Sequence, residues 1–554
     1  MDKFTVARTL DEIGRYLALT ESNPFKSRAF DRAARAIEAL DADVAKLVAS
    51  GEIKNVSGIG KATAEIVAEI INTGSSTYLE ELRAQFPPGI FDLLRIPKLG
   101  LKKIGQLYAE LGIASIDALE EAARNGQIAK LKGFGPKTAQ QILGGVEFAR
   151  QRQSKFLLPR GIEAGERIRM LLADIAEIED AEVSGSVRRR LEICRNVNIV
   201  VATKKLESVL AKLPDILDGL EMLDEQTAKG TTGRDIEVRL HFTTPAEFGA
   251  ELLRTTGSEE FVSAFGKIPK GRTEQDVFEK RHIAFVEPER REDASELSRK
   301  KRVRLVQASD LRGTFHVHTT FSDGRNTMHE MLSAAKERGY EYVGISDHSK
   351  SAYYAGGLTE DRLREQHAEI TAQEKAVKPM RVFRGTEADI LGDGSIDYGP
   401  DTLRKFDFVI ASVHSQFQMQ KDQMTERILR ALDDPSVTFL GHMTGRRLLT
   451  RDGYTFDYDR VFERAGERGV MIEINGNPQR LDIDWRLVKR ALDRGVVFSI
   501  HPDAHSISEY NAMITGTWAA RKAGLTKKEI FNARGLDEVA EFLAARRKNR
   551  TAGL

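Results

Sequence analysis

The stretch FHVHTTFSDG, residues 315–324, places His316, His318 and Asp323 just past a short apolar run. On an extended chain residues two apart face the same side, so His316 and His318 project together. Five later stretches share this form: GISDHSK (344–350), RGTEADI (384–390), ASVHSQ (411–416), FLGHMTGR (439–446) and HPDAHS (501–506). Each lies at or just beyond the end of a strand-like run, and Asp503 and His505 repeat the two-apart spacing. From Asp310 on, apolar runs such as YVGISDH, FVIASVH, TFLGH, VMIEING and VVFSIHPDAH alternate with amphipathic helical stretches. Strand then helix, repeated, predicts an α/β domain with parallel strands. In an α/β barrel the strand ends of one face converge on one pocket, so these imidazoles and carboxylates are expected to meet. A mixed nitrogen and oxygen donor set suits Zn²⁺, Mn²⁺ or Fe²⁺ better than Mg²⁺ alone.

The chain around this segment is 554 residues long, enough for about three or four domains that each bury a core. Charged residues are 30% and hydrophobic ones 41%, which excludes collagen-like, disordered and disulfide-framework classes. No apolar run reaches the roughly 18 residues of a membrane span. MDKFTVARTLDEIGRYL lacks the basic and apolar regions of a secretory signal. One cysteine, Cys194, cannot form an internal disulfide, so a cytoplasmic protein is expected. Net charge is +1, and the residues from Leu311 on carry 36 basic against 35 acidic groups, so neither half is a polycation. Of eleven histidines only His241 and His282 precede Leu311.

Residues 1–150 read as helical, with apolar positions at helical spacing in VARTLDEIGRYLAL and AFDRAARAIEAL. A repeat runs through VSGIGKATAEIV (56–67), RIPKLGLKKIGQLY (95–108) and LKGFGPKTAQQIL (131–143), with Lys98 at the first glycine position of the middle copy. Glycine permits the turn and bares the backbone amides, which at a helix N-terminus bind phosphate oxygen. Such units grip a DNA backbone without reading its sequence. They resemble helix-hairpin-helix motifs, in which Gly58, Gly60, Gly133 and Gly135 would contact DNA, supported by Lys61 and Lys137.

Residues 160–290 change to a mixed pattern, with a helix in GERIRMLLADIAEI and strand-like AEVSGSV, NIVVAT and IEVRLHF. VSGSVRRRLEICRNVNIVV (183–201) resembles the nucleotidyltransferase signature of family X DNA polymerases, a Gly-Ser, an Arg pair and an Asp-x-Asp. Gly185, Ser186, Arg188 and Arg189 match. The aspartate positions hold Asn196 and Asn198, Arg195 replaces the preceding glycine, and the third carboxylate aligns with Glu237. Thr256, Gly257 and Ser258 match a further triplet, while Arg254 and Thr255 replace its aromatic pair and the segment 259–278 is short for the family. Nucleotidyl transfer needs two hard cations held by carboxylates, and amide oxygens neutralise no metal charge. Polymerisation is therefore expected to be lost or very weak. The lysine used for lyase chemistry in some members aligns with Ile66. Lys26 falls where relatives bind a 5′-phosphate, or is simply solvated.

The order of histidine motifs over 310–550 resembles the polymerase-and-histidinol-phosphatase (PHP) domain, a distorted (β/α)₇ barrel holding up to three divalent metals. The resemblance implies nine ligands: His316, His318, Asp323, His348, Glu387, His414, His442, Asp503 and His505. It groups His316, His318, Glu387 and Asp503 on one metal, Asp323, His348 and His442 on a second, and Glu387, His414 and His505 on a third. Such metals acidify water into a hydroxide nucleophile for phosphoester hydrolysis, with no separate protein base assigned. Arg446 and Lys350 are candidate phosphate contacts or solvated charges. His329 and His367 fit no motif and are expected in solvent, and His501 stands behind the ligands.

Helical, palm-like and PHP segments in this order resemble bacterial family X DNA polymerases with a PHP domain. The expected division is 1–85 and 86–155 for two helix-hairpin-helix regions, 156–295 for an α+β nucleotidyltransferase-like palm with a reduced thumb, 296–310 for a basic linker or edge strand, SRKKRVRL, and 311–554 for the PHP barrel. The resemblance implies a 3′-5′ exonuclease dependent on Mn²⁺ foremost, or Zn²⁺ or Fe²⁺. Gapped, nicked or 3′-ended DNA would be its partner, in a cytoplasmic, nucleoid-associated monomer that touches no membrane. Three other readings stay open: a base-excision-repair polymerase that is still active, a small-molecule phosphatase of the histidinol-phosphatase type, and a non-enzymatic DNA scaffold.

Overall fold

Val6, Leu10, Ile13 and Leu17 recur at helical spacing and form the buried face of α1 (Lys3–Leu19). Seven more helices follow it: α2 (Pro24–Ala39), α3 (Val44–Ala49), α4 (Lys61–Thr73), α5 (Thr77–Ala84), α6 (Leu101–Leu111), α7 (Ile116–Arg124) and α8 (Pro136–Gln151). The computed structural model describes residues 3–20, 24–40, 44–96, 99–151, 155–232 and 236–552. The chain divides into two compact units, Met1–Gln153 and Ser154–Leu554. The first contains two apolar cores, one built from Val6 to Leu82 and one from Leu19 to Val146, with Tyr16 packed against both. Among the described residues, no helix is long and apolar enough to cross a membrane.

The second unit begins with a small ribbon, β1 (Phe156–Leu157) antiparallel to β3 (Ile193–Cys194). A mixed sheet follows, made of β2 (Ile178–Ser184), β4 (Val197–Thr203), β5 (Asp218–Asp224), β6 (Thr227–Thr231) and β7 (Glu237–Thr243) in the order β2-β4-β7-β6-β5. Only the central pair β4 and β7 is parallel. Val197, Ile199 and Val201 alternate inward with Val238, Leu240 and Phe242 to form its core. Helices Phe248–Thr256, Glu259–Phe265 and Glu274–Lys280 make a separate small cluster around Phe261, Phe265 and Phe278.

Seven parallel strands then form a barrel: β8 (Gly313–Thr314), β9 (Tyr342–Ile345), β10 (Arg381–Asp389), β11 (Phe408–Ser412), β12 (Phe439–Leu440), β13 (Met471–Asn475) and β14 (Phe498–His501). Strands β9, β11, β13 and β14 are buried on both faces, which explains the apolar runs of β9 and β11, while β13 and β14 bury Glu473 and Ser499 among apolar residues. A parallel bridge between Val317 and Ala504, just past β8 and β14, nearly closes the barrel.

SRKKRVRL is not an edge strand. Residues 299–307 form no regular element, and Val306 is buried with its N–H donating to Leu525 O at 3.0 Å. Partly buried polar contacts join the segments around the mixed sheet to the barrel. Arg486 meets Glu192 at 2.9 Å, Arg521 meets Glu289 at 2.5 Å, and Lys522 donates to Arg189 O at 3.0 Å and to Glu292 at 2.5 Å. Burial pulls the Lys522 ammonium down to about 8 against the pull of Glu292.

Candidate metal centre

Barrel closure builds the site. His316 and Asp503 both adopt left-handed backbone conformations, φ 59° and 53°, which side-chain-bearing residues seldom take. The seam between them is held by Ala504 N–H donating to His316 O at 3.2 Å and His318 N–H donating to Ala504 O at 2.9 Å. The two motifs read as same-side pairs thereby face each other. Strained backbone of this kind persists only where surrounding structure enforces it.

Glu387, buried at the end of β10, is the hub. Its Oε2 lies 3.1 Å from His348 Nδ1, 3.3 Å from His316 Nε2 and 3.5 Å from His318 Nε2. Its Oε1 lies 2.9 Å from His442 Nε2 and 3.2 Å from His414 Nε2. Asp503 Oδ1 is 3.4 Å from His316 Nε2 and 3.5 Å from His318 Nε2. Asp323 Oδ1 is 3.4 Å from His505 Nε2 and 3.6 Å from His348 Nε2. Donors each about 2 Å from one cation stand roughly 3 Å apart, which is this spacing. All nine expected side chains lie in this one cluster.

The donor chemistry fits divalent cations. Buried His316 Nε2, both ring nitrogens of His318, His348 Nδ1 and Glu387 Oε1 make no hydrogen bond among the described residues. Native proteins seldom leave such atoms unpaired, and here they converge. Four ligand groupings form within the set: His318, Asp323, His348 and His505; His316, His318 and Asp503; His316, Glu387 and His442; and His348, Glu387 and His414. This corrects two expected groupings. His442 sits across Glu387 from Asp323 and shares that carboxylate with His316. His505 belongs with Asp323 rather than with His414, because the loop after β8 folds Asp323 over the seam.

Charges within the cluster follow from burial and pairing. Burial alone would lower the His414 imidazole, but Glu387 and Asp389 outweigh it and hold it at about 10. Burial likewise opposes His505, which Asp323 and Asp503 hold at about 9. For His318 burial wins, reinforced by His505 and His348, and its value falls to about 3. Burial works against ionised Glu387 and Asp503, yet the histidines keep both carboxyls well below the usual range.

Several functional residues were not singled out in the sequence. Glu473 on β13 accepts from His316 Nδ1 at 2.5 Å and from the His442 N–H at 2.5 Å. Its signal was an acid inside the apolar run VMIEING. Asp389, two residues past Glu387, meets His414 Nδ1 at 2.6 Å. Asp347 accepts from the Thr319 N–H and hydroxyl, both at 2.8 Å, and from Ser322 at 2.5 Å, so it fixes the loop that carries Asp323. Arg480 Nε stands 3.5 Å from Asp503, and its charge, after burial, lowers the guanidinium pKa of Arg447 and Arg451. His501 lies 3.3 Å from Glu473, behind His316.

Three expectations need correction or refinement, and a fourth, His329 in solvent, agrees with the structure. Arg446 is engaged by protein groups: its guanidinium donates to Arg480 O at 2.9 Å, to Leu481 O and to Asp484 at 2.7 Å. Lys350 pairs with Glu360 at 2.8 Å at the surface. His367 is not in solvent; it packs on Phe406, and burial lowers it to about 4. His329 is exposed and meets Gln373 at 2.9 Å.

In the mixed sheet, Asn198 Nδ2 donates to Asn196 Oδ1 at 2.9 Å, and His241 Nε2 contacts Asn198 Oδ1 at 2.9 Å. Asn196 reaches Glu237 at 3.5 Å, and Arg239 pairs with Glu237 at 2.7 Å. Gly185 packs so closely on the Asn198 amide that a Cβ would stand 2.7 Å from it. Ser186 O accepts from the Leu191 N–H at 3.0 Å, and Cys194 Sγ donates to Leu191 O at 3.5 Å. Arg188 is bidentate to Glu274 at 2.8 Å, and Arg189 meets Glu292 at 2.9 Å.

In the helical unit the three hairpins share the hydrogen bonds that flank their turns. Ile59, Leu99 and Phe134 each donate N–H three residues back, and Ala64, Ile104 and Ala139 donate to the glycines Gly60, Gly100 and Gly135 that open α4, α6 and α8. Ile59 and Phe134 anchor the turns in the core, while Gly58, Gly60, Lys61, Gly133 and Lys137 are exposed and Gly135 is half-buried. Lys98 lies outside the described residues. Ile66 packs on the first core, and Lys26 donates to Tyr78 at 2.6 Å.

Comparison with known proteins agrees with this architecture. Residues 1–76 match the model of a helix-hairpin-helix domain, 90–145 that of a SAM-like helix-hairpin-helix tandem, and 314–477 that of the PHP domain. The chain is 32% identical, over 98% of its length and 99% of the relative's, to the DNA polymerase/3′-5′ exonuclease PolX of Bacillus subtilis (strain 168). A probable phosphatase of Thermoanaerobacter sp. (strain X514) is 24% identical over 42% of this chain and 94% of its own. One of Vibrio atlanticus (strain LGP32) is 28% identical over 42% of this chain and 98% of its own.

Proposed function

Because the chain belongs to the family of DNA polymerase/3′-5′ exonuclease PolX, we propose that it is a DNA-repair enzyme whose working centre is the PHP barrel. That centre hydrolyses phosphodiesters at DNA 3′ ends. The observation that carries the reading is the cluster around Glu387, with buried unpaired donors converging from the barrel strands. Divalent cations held by His316, His318, Asp323, His348, Glu387, His414, His442, Asp503 and His505 would supply Lewis-acid charge for the phosphate and acidify water. The protein's own part is to hold these donors rigidly, through Glu473, Asp389 and Asp347. Arg480 adds positive charge beside Asp503. Mn²⁺ is the proposed ion.

Polymerisation is proposed to be lost. The amide network of Asn196 and Asn198 carries no charge for cations, Glu237 is paired with Arg239, and the arginines of the signature are engaged by Glu274 and Glu292. The hairpins, through Gly58, Gly60, Lys61, Gly133, Gly135 and Lys137, hold the DNA backbone of gapped, nicked or 3′-ended substrates. Lys26 is proposed as an additional contact. Domain limits near 85, 155, 295 and 310, a monomeric state and a cytoplasmic, nucleoid-associated location complete the proposal.

A second reading, a small-molecule phosphatase, is favoured by the probable phosphatases that match the barrel alone. One experiment separates the readings. A 5′-labelled primer on a template is incubated with Mn²⁺, with and without dNTPs, beside sugar phosphates as competing substrates. Shortening by wild type, none by His316→Ala and no extension by either is the expected result. Robust extension refutes the loss of polymerisation, and turnover of sugar phosphates in preference to DNA supports the phosphatase.

A further inference from the structure

The loop that leaves His348 carries an aromatic pair that the metal cluster does not use. Tyr353 and Tyr354 are 85% and 65% exposed, with ring centroids 6.1 Å apart and planes at 78°. Adjacent exposed aromatics can mark a site of interaction, and this pair sits on an anchored loop. Ser349 N–H donates to Glu387 O at 3.0 Å, and Leu358 N–H donates to His348 O at 2.9 Å, so both ends of the loop are tied to ligand residues. Ser351 gives its N–H and hydroxyl to Asp397 at 2.7 and 2.8 Å. Ala352, Ala355 and Leu358 of the same loop are buried. Arg362 binds Gly356 O at 2.8 Å and Phe321 O, which couples the loop to the segment bearing Asp323. Because Ser349 and Leu358 are bonded to the backbones of Glu387 and His348, the loop holds the pair beside the ligand cluster.

Rigid aromatic faces at the mouth of a phosphoesterase pocket suit a planar ligand attached to the phosphate. Every nucleobase offers such a face, and stacking on tyrosine is indifferent to base identity. We propose that Tyr353 and Tyr354 form a stacking platform for the terminal nucleobase of the strand whose phosphodiester enters the metal cluster. The proposal rests on the exonuclease reading and adds the recognition element that distinguishes a nucleotide from a bare sugar phosphate. Anchoring matters because a pre-ordered platform costs little entropy on binding.

The test compares two 5′-labelled strands in Mn²⁺, one ending in a normal 3′ nucleotide and one in a 3′ tetrahydrofuran residue that lacks a base. Wild type should show a lower KM for the base-bearing end, by roughly 5- to 100-fold from the usual worth of a stacked base. In Tyr353→Ala/Tyr354→Ala that ratio should collapse to near one, whereas Tyr353→Phe/Tyr354→Phe, which keeps both rings, should retain it. Both positions are exposed, and unchanged thermal melting of the variants establishes that folding is intact. Equal KM for the two ends in wild type, or a double-alanine variant that keeps the preference, overturns the platform. Failure of wild type to shorten either strand overturns the exonuclease reading instead.

Discussion

Glu473 holds the Nδ1 side of His316 at 2.5 Å, leaving Nε2 aimed at Glu387 and Asp503. A carboxylate behind a metal-binding imidazole fixes its orientation and tautomer and raises its basicity. Glu473→Gln keeps the shape and removes the charge. Metal affinity should fall about 10- to 100-fold, as is usual when such outer partners are lost. Mn²⁺ titration of the variant checks this, and excess Mn²⁺ should restore much of the activity. His316→Ala should not recover at any metal concentration, because it deletes a donor shared by two groupings.

Much of this centre was legible in the sequence because each ligand motif closes an apolar run, and parallel strands bring run ends together. The grouping of ligands was not. Chain order does not say on which side of Glu387 a histidine arrives, and the loop after β8 moves Asp323 onto the His505 side. Arg446 misled for the opposite reason: it adjoins His442 in sequence, but the chain turns at Gly445 and sends it towards Asp484. Glu473 looked like one acid in an apolar strand until the His316 ring was placed against it.

Buried Glu274 sets an acid limit on the sheet that bears the polymerase-like signature. Burial opposes its ionisation, but Arg291 and Arg188 outweigh that and hold the carboxyl at about 2. A carboxyl depressed from about 4.5 contributes stability above its unfolded pKa and loses it as pH falls towards 2, here about 3 kcal/mol. Thermal melting of the intact chain should therefore weaken between about pH 4.5 and 2. Glu274→Gln should flatten that limb and cost roughly 3–5 kcal/mol at neutral pH, because it strands fully buried Arg291. An unchanged acid limb in the variant would assign the transition to other carboxyls.

Placing aspartates at the two positions tests the proposed loss of polymerisation. Asn196→Asp/Asn198→Asp supplies charge beside Glu237, so Mn²⁺ binding to the mixed sheet should become measurable in a His316→Ala background. Primer extension should stay undetectable, because Arg188 and Arg189 remain committed to Glu274 and Glu292. Extension by the double reversion would show that the two amides alone had silenced the site.

The hairpins allow DNA binding to be separated from folding by choosing among their glycines. Gly58 and Gly133 have φ of 91° and 85°, where a side chain is strained. Replacing either by alanine should destabilise the helical unit by roughly 1 kcal/mol and confound any binding measurement. Gly60 differs: its φ is −84°, and a Cβ would meet nothing closer than 4.0 Å. Around Gly135 a Cβ would meet nothing within 4 Å. Leucine at both positions should leave the melting temperature nearly unchanged while covering the amides that open α4 and α8. Affinity for a gapped duplex, read by fluorescence anisotropy, should drop several-fold. Lys61→Gln and Lys137→Gln should each reduce the slope of log affinity against log salt by about one. Wild-type affinity in Gly60→Leu/Gly135→Leu would place the DNA contacts elsewhere on the helical unit, whatever the salt slope of the lysine variants.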